Sequence, residues 1–388
     1  MAASDSHLDS STMATMVEET QGIQVSAPAP AAESFSPLHG DLLQAVLCRL
    51  SLFDLLPASC VSRSWRRAVT LSLDNPPRVK PWLILRRRAS SPSAPPAALA
   101  YDPNSCSWIC IPSVPLSHAS PLRASHGSLL YSLSPSKFSV SWDALNFVWR
   151  DVGPPVVWRS DPLVAVVGMH VVVAGGACDF EDEPLAVEVY RVDDPRRRLS
   201  CQPMPLQFKN SSSPVWLSVA ASNSQMFVLG KDSGAFCSLN MDTMTWGPVS
   251  SLSPGPSIFF SVIGFSDGRL IQVGLDGDAM NVFGLRIWEV SPETFERNLL
   301  GEMPSDMLER LKKPDSSPLW SIKASVSGDF AYIYDPSDPR EIFFCDFSSR
   351  NCSWCCFENP VLNEGNLIDN FVFTCSKVEI DDLRPVCR

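Results

Sequence analysis

Residues 351–356, Asn-Cys-Ser-Trp-Cys-Cys, gather three of the chain's 13 cysteines, and Cys352 and Cys355 have the spacing of a redox pair or of half a zinc site. A tetrahedral zinc needs two further thiolates or imidazoles at suitable spacing. A dithiol redox site uses a strand-to-helix junction in a βαβ setting. Neither is visible around this hexapeptide. In an extended strand, alternation puts Cys352, Trp354 and Cys356 on one face and Cys355 on the other, which separates the apparent pair. Cys106-Ser107-Trp108 has the same residues as Cys352-Ser353-Trp354, each after a Tyr-Asp-Pro turn and before a proline. The motif therefore reads as the end of a structural repeat.

Other chemistry is equally hard to find. His118, His126 and His170 are scattered, and no HExxH, GxSxG, GxGxxG or GxxxxGK pattern occurs. No cofactor, metal or catalytic residue is expected. The net charge of −11 argues against a nucleic-acid partner, because phosphate binding needs a concentrated basic footprint. The two dense basic runs, Arg86–Arg88 and Arg196–Arg198, read as solvated loops or strand ends.

The most apolar run, Leu163–Cys178, contains His170 and paired glycines and is too short for a membrane span. The first twenty residues are acidic and polar, unlike an export signal. A soluble intracellular protein with reduced cysteines is expected, in the cytoplasm, the nucleus or both. With 45% hydrophobic residues and 11 Trp the chain can fill a large core, and 34 Pro with 19 Gly favour many turns over long helices.

Residues 1–34 are rich in Ser, Ala, Glu and Pro, and read as a disordered tail. Over residues 36–75 the period becomes helical. Leu42, Leu43, Val46, Leu47 and Leu50 fall on one helical side, with Asp41 at the helix start. A second helix follows in FDLLPASCV, and Ser62 is placed to cap a third that carries Trp65. From residue 81 to 380 the period is two, in six similar units at 81–112, 123–155, 162–205, 214–252, 257–304 and 319–360. Such spacing, with several strands per unit, predicts a mainly β chain: a small three-helix domain followed by a six-bladed propeller. A helix capped by Ser305 and stopped by Pro314 interrupts the last two units. The first unit is one strand short, so the isolated C-terminal strand in NFVFTCSKVEI is expected to complete it and close the ring.

The helical segment resembles an F-box: Leu38, Leu42-Leu43, Val46-Leu47, Leu50, Asp54-Leu55, Val61-Ser62 and Ser64-Trp65-Arg66 follow the family's order, with His39 where a proline is usual. The units are similar to degenerate kelch repeats of plant F-box proteins, best in VVVAGG with AVEVYRVD, in YDPNSCSW and in the EMPSDMLERLKK insertion. LHGDLL with VSRSWRRAV is similar to members that control flavonoid and phenylpropanoid enzymes such as chalcone synthase. The resemblance implies a non-catalytic adaptor of a cullin–RING ubiquitin ligase. Its F-box would dock an SKP-type linker, and its propeller would hold a protein substrate for ubiquitination and proteasomal degradation.

The expected adaptor contacts are Leu38, Leu42, Leu43, Val46, Leu47, Leu50, Leu52, Phe53, Leu55 and Leu56. The expected substrate face is built from the loops 178–184, 231–234, 275–281 and 335–341, with Asp179, Glu181, Asp182, Glu183, Lys231, Asp276, Asp278, Asp338 and Arg340. Trp108, Trp149, Trp246 and Trp354 are expected to be packing anchors. The alternatives are a kelch scaffold without ligase function, which does not need an F-box, and a copper-dependent propeller oxidase, which needs a His and Tyr cluster at the propeller centre.

Overall fold

The computed structural model describes residues 40–74, 80–87, 98–111, 121–143, 145–146, 148–176, 183–194, 197–253, 255–312, 317–349, 351–360 and 371–383. The N-terminal tail, Leu38, His39, His118, Asp179, Glu181, Asp182 and Pro314 lie outside them.

Six antiparallel sheets follow one another along the chain as blades I to VI. Blade II runs from Leu122–Ala124 to Arg150–Asp151, blade III from Leu163–Val167 to Arg198–Leu199, and blade IV from Leu217–Ala221 to Thr245–Trp246. Blade V runs from Ile258–Ser266 to Arg297–Glu302, and blade VI from Lys323–Ser327 to Ser353–Glu358. Blade I combines Trp82–Arg87, Ala98–Asp102 and Ser107–Ile111 with the C-terminal strand Phe371–Ser376, which pairs along the first of these from Trp82↔Ser376 to Arg87↔Phe371. The ring closes as the missing strand in the first unit predicted.

Blades pack face to face, so their middle strands are buried on both sides and read as continuous apolar runs rather than strict alternations. The run from Leu163 shows this. It forms the hairpin Leu163–Val167 and His170–Ala174, turned at Gly168 and Met169. Among the described residues, no helix is long and apolar enough to cross a membrane.

The cysteine hexapeptide lies in the outer strand of blade VI. Cys352, Trp354 and Cys356 pack against the apolar cluster shared with blade V, and the Cys352 thiol donates to the Leu300 carbonyl at 2.9 Å. Cys355 faces the other way, toward Lys80 and Cys106 of blade I. Burial pushes all three thiols up, opposite to the shift a reactive thiolate needs. Outer-strand tryptophans tie neighbouring blades: Trp108 Nε1 donates to the Glu358 carbonyl and Trp246 Nε1 to the Gln202 carbonyl, both at 3.1 Å. Arg86 departs from its expected solvated state. It is buried, its guanidinium donates to the Leu145 carbonyl at 2.7 Å, and burial, opposed by Asp143, holds its pKa down at about 9. Its strand end lies between blades I and II rather than at the rim.

The helical unit comprises α1 (Gly40–Leu47), α2 (Leu52–Val61) and α3 (Arg63–Asp74). Ser51 Oγ accepts the Asp54 N–H at 3.1 Å, and Ser62 Oγ accepts the Trp65 N–H at 3.2 Å, so both later helices begin on a serine cap. Leu43, Leu47, Leu55, Ala68 and Val69 form its core. Leu52 and Leu56 instead join the apolar cluster of blade I that includes Trp82, Val378 and Leu383 of the short α5 (Ile380–Leu383). The unit is thereby seated on the propeller. The interrupting helix, α4 (Ser305–Lys312), starts on the Pro304 carbonyl, which accepts the Leu308 N–H at 2.9 Å. Ser305 is thus its first helical residue rather than its cap.

In blade III, Arg159 and Glu188 form a buried ion pair at 3.3 Å. Burial pushes the Glu188 carboxyl up, but the Tyr190 hydroxyl at 2.6 Å, the N–H groups of Val156 and Val157, and Arg159 outweigh it and hold the pKa below the ordinary 4.5. A depressed carboxylate stabilises the fold above its unfolded pKa, and that contribution is lost as pH falls through the folded value. Tyr190→Phe is expected to cost about 1.5–3 kcal/mol at pH 7, a hydrogen bond to a charged acceptor. The gap to wild type should close as pH falls below the folded pKa, as read by urea unfolding across an acid series. A pH-independent gap would assign the loss to packing alone.

Candidate functional site

Two surfaces could hold other proteins. The first is on the helical unit. α1 packs against α3 along one line, so only the Leu43–Leu47 side of its broad apolar stripe is covered, at 2% and 1% exposure. Leu42 and Val46, one turn apart, remain 62% and 43% exposed, and Leu50, Phe53 and Val61 are exposed beside them in sequence. The expected adaptor contacts therefore divide. Leu42, Val46, Leu50 and Phe53 face solvent. Leu43, Leu47 and Leu55 are internal, and Leu52 and Leu56 face the propeller cluster. Those five are corrected from contacts to packing residues, because a surface already covered within the chain cannot dock a partner. Val61, absent from the expected set, joins the exposed group. Trp65 packs at the edge of the helical core.

The second surface is one end of the propeller. The loops 231–234, 275–281 and 335–341 join the second and third strands of blades IV to VI, and Glu183 lies between those of blade III, which places them at the same end; residues 178–182 lie outside the described residues. The connectors between blades, such as 200–216 and the described residues 317–322, reach the same end. The helical unit lies at the other, since α5 follows Ser376 at the start of blade I's second strand. A strand of six residues separates the two ends by about 20 Å.

Residue by residue, the side chains of these loops differ in exposure. Glu183 is exposed, as is Asp278, whose carboxylate accepts the Met280 and Asn281 N–H groups of its own turn. Asp338 pairs with the exposed Arg340. Asp276 is a correction: it is fully buried, accepts from Ser257 Oγ at 2.6 Å and pairs with Arg286 at 2.6 Å, so it holds blade V together. Lys231 leans inward to the central channel, where its ammonium donates to the Pro214 and Val215 carbonyls at 2.5 and 3.2 Å.

The channel holds about 560 Å³ and is lined by the inner strands, with Arg123, Asp161, Lys231 and Lys323 among its lining residues. His126 also lines it. Burial holds this imidazole down at about 4, so it is neutral at pH 7. The described residues contain no cluster of three or more His, Cys, Asp or Glu placed to hold a metal. The paired glycines of blade III lie against the connectors on either side of that blade. Gly175 and Gly176 have φ of +63° and +66°, and a Cβ would collide with the Ser212 carbonyl at the first and the Asp161 carbonyl at the second. Their close approach lets the connectors at Ser212 and Asp161 pack directly on that strand end.

Sequence reasoning missed the exposed tryptophans of this end, Trp158, Trp216 and Trp320. A signal existed: Pro214-Val215-Trp216 and Pro318-Leu319-Trp320 place the same Pro-x-Trp step before the inner strands of blades IV and VI.

The family model for the F-box domain matches residues 35–74, against the 36–75 read from the helical period. Over 371 residues the chain is 39% identical to an F-box/kelch-repeat protein of Arabidopsis thaliana, covering 92% of this chain and 94% of that one. Among solved structures, a chain of a nidogen/laminin complex is similar at a TM-score of 0.45 and 11% identity, over 77% of this chain and 99% of that chain, too remote to inform function. With the helices matching an F-box and the identity running on through all six blades, the chain belongs to the plant F-box/kelch-repeat family.

Proposed function

We propose that this chain is the non-catalytic substrate-recognition subunit of an SKP–cullin–F-box ubiquitin ligase, acting in the cytoplasm or nucleus. The observation that carries the reading is the uncovered apolar row Leu42, Val46, Leu50 and Phe53 on an F-box that is itself anchored to a propeller. A protein partner covering that row would bury on the order of 800 Å² per side at standard size. The propeller then presents a substrate from its far end, and holding the substrate's lysine near a charged ubiquitin carrier raises the effective concentration of the reacting groups. The wording of the F-box segment points to flavonoid or phenylpropanoid enzymes as the substrate class.

The test is a complex of the purified full chain with a plant SKP-type adaptor and cullin–RING core, followed by size-exclusion chromatography. Co-elution at micromolar concentration is expected, and a chain that elutes alone overturns the reading in favour of a kelch scaffold. Deletion of residues 35–74 is a poor control, because it strips Leu52 and Leu56 from the blade I cluster.

A further inference from the structure

The propeller end opposite the F-box carries large apolar side chains in water. Trp216 and Val215, in the connector entering blade IV, are 51% and 63% exposed; Trp320, in the connector entering blade VI, is 68% exposed, and Met280, at the blade V turn, is 71% exposed. The Leu319 N–H donates to the Ala279 carbonyl at 2.9 Å, which holds the Trp320 connector against the Met280 turn. Scattered exposed apolar residues are ordinary. A group of them beside one concavity marks an interaction surface.

The concavity has the opposite character to the chain that contains it. Arg123, Lys231 and Lys323 line it with Asp161, three cations to one carboxylate, in a protein of net charge −11. Arg123 pairs with Asp161 at 3.3 Å, and Lys231 is held by two main-chain carbonyls. Burial, then repulsion from Lys323, holds the Lys231 ammonium down at about 8, with Asp161 acting against them. An incoming carboxylate relieves that repulsion and takes a charge-assisted hydrogen bond.

We propose that the channel mouth takes an acidic side chain from an extended substrate segment, whose neighbouring aromatic or aliphatic residues lie on Val215, Trp216, Met280 and Trp320. The proposal rests on the propeller being the substrate-holding part of the chain. A uniformly acidic segment does not fit, because Glu183, Asp232 and Asp278 stand exposed around the outer rim. One Asp or Glu set among apolar residues matches both the charged centre and the apolar collar.

The experiment is selection of a random-peptide display library, with the variable region flanked by constant segments on both sides, on the immobilised full chain. Enriched sequences are expected to share an Asp or Glu with aromatic or aliphatic neighbours. Synthetic versions with that residue changed to Asn or Gln should bind at least about tenfold more weakly, as should Lys323→Glu and Trp320→Ala proteins that melt with wild type. A peptide carrying Lys at the acidic position should regain binding to Lys323→Glu. Should that variant fold poorly, Lys323→Gln is expected to show the same loss without the regain. Enrichment of peptides that lack an acidic residue, equal binding by Lys323→Glu or Lys323→Gln, or no enrichment over Lys323→Glu overturns the proposal. Adaptor binding is read separately on the same proteins, so failure of the ligase reading is distinguishable from failure of this one.

Discussion

Leu42→Asp combined with Val46→Asp is expected to abolish capture of a purified SKP-type adaptor and to leave the melting temperature nearly unchanged. Both side chains already face water, at 62% and 43% exposure, and substitutions at such positions ordinarily move stability by no more than about 0.5 kcal/mol. In a complex the same positions would be covered, and burying an unpaired carboxylate costs several kcal/mol. Two together exceed about 4 kcal/mol, or roughly a thousandfold in affinity, enough to remove a micromolar complex. Leu47→Asp provides the contrast. Leu47 is 1% exposed among Leu43, Leu55 and Val69, so a charge there should unfold the helical unit and lose binding for a different reason. Calorimetric titration beside thermal melting separates the two. Full binding by the Leu42/Val46 double variant would remove this row from the docking surface.

A chain ending at residue 365 is expected to lose its cooperative unfolding transition. The removed strand fills two clusters at once: Phe371, Phe373 and Cys375 pack with Tyr332 and Phe344 between blades VI and I, while Val372 faces the blade I cluster. At about 1.5–3 kcal/mol per fully buried large side chain, the loss is of the same size as the roughly 5–15 kcal/mol by which a domain is stable. The cut also uncovers the backbone edge of Trp82–Arg87 and removes α5 from beneath α2. An unpaired edge of that kind invites aggregation. Circular dichroism melts and light scattering on the truncated chain check this; a sharp transition near the wild-type temperature would show that the ring does not depend on its closing strand.

Blades II to VI are each runs of strands consecutive in the chain, so their pattern is local and could be counted from the sequence. Even the closing strand was legible, since a three-strand first unit and a lone C-terminal strand account for each other. The cysteine hexapeptide likewise yielded to strand alternation: Cys352 and Cys355 face different blades. The exposed side of α1 was not legible, because Leu42, Leu43, Val46 and Leu47 are equally apolar and adjacent on the helix. Only the position of α3 decides which two are covered. Asp276 and Asp278 show the same limit in one turn, where two residues separate a buried ion pair with Arg286 from an exposed carboxylate.

By itself, the order of periods and turns determined a three-helix unit and six blade units, because hydrophobic period and turn chemistry act between residues close in the chain; the closure followed only from matching a three-strand first unit to a lone last strand. Tertiary structure alone decided which apolar residues remain in water, that Lys231 turns inward beside Lys323 and Arg123, and that the F-box sits at the end away from the loops. Those outcomes depend on which distant segments meet, and burial and charge are properties of the meeting, not of either segment.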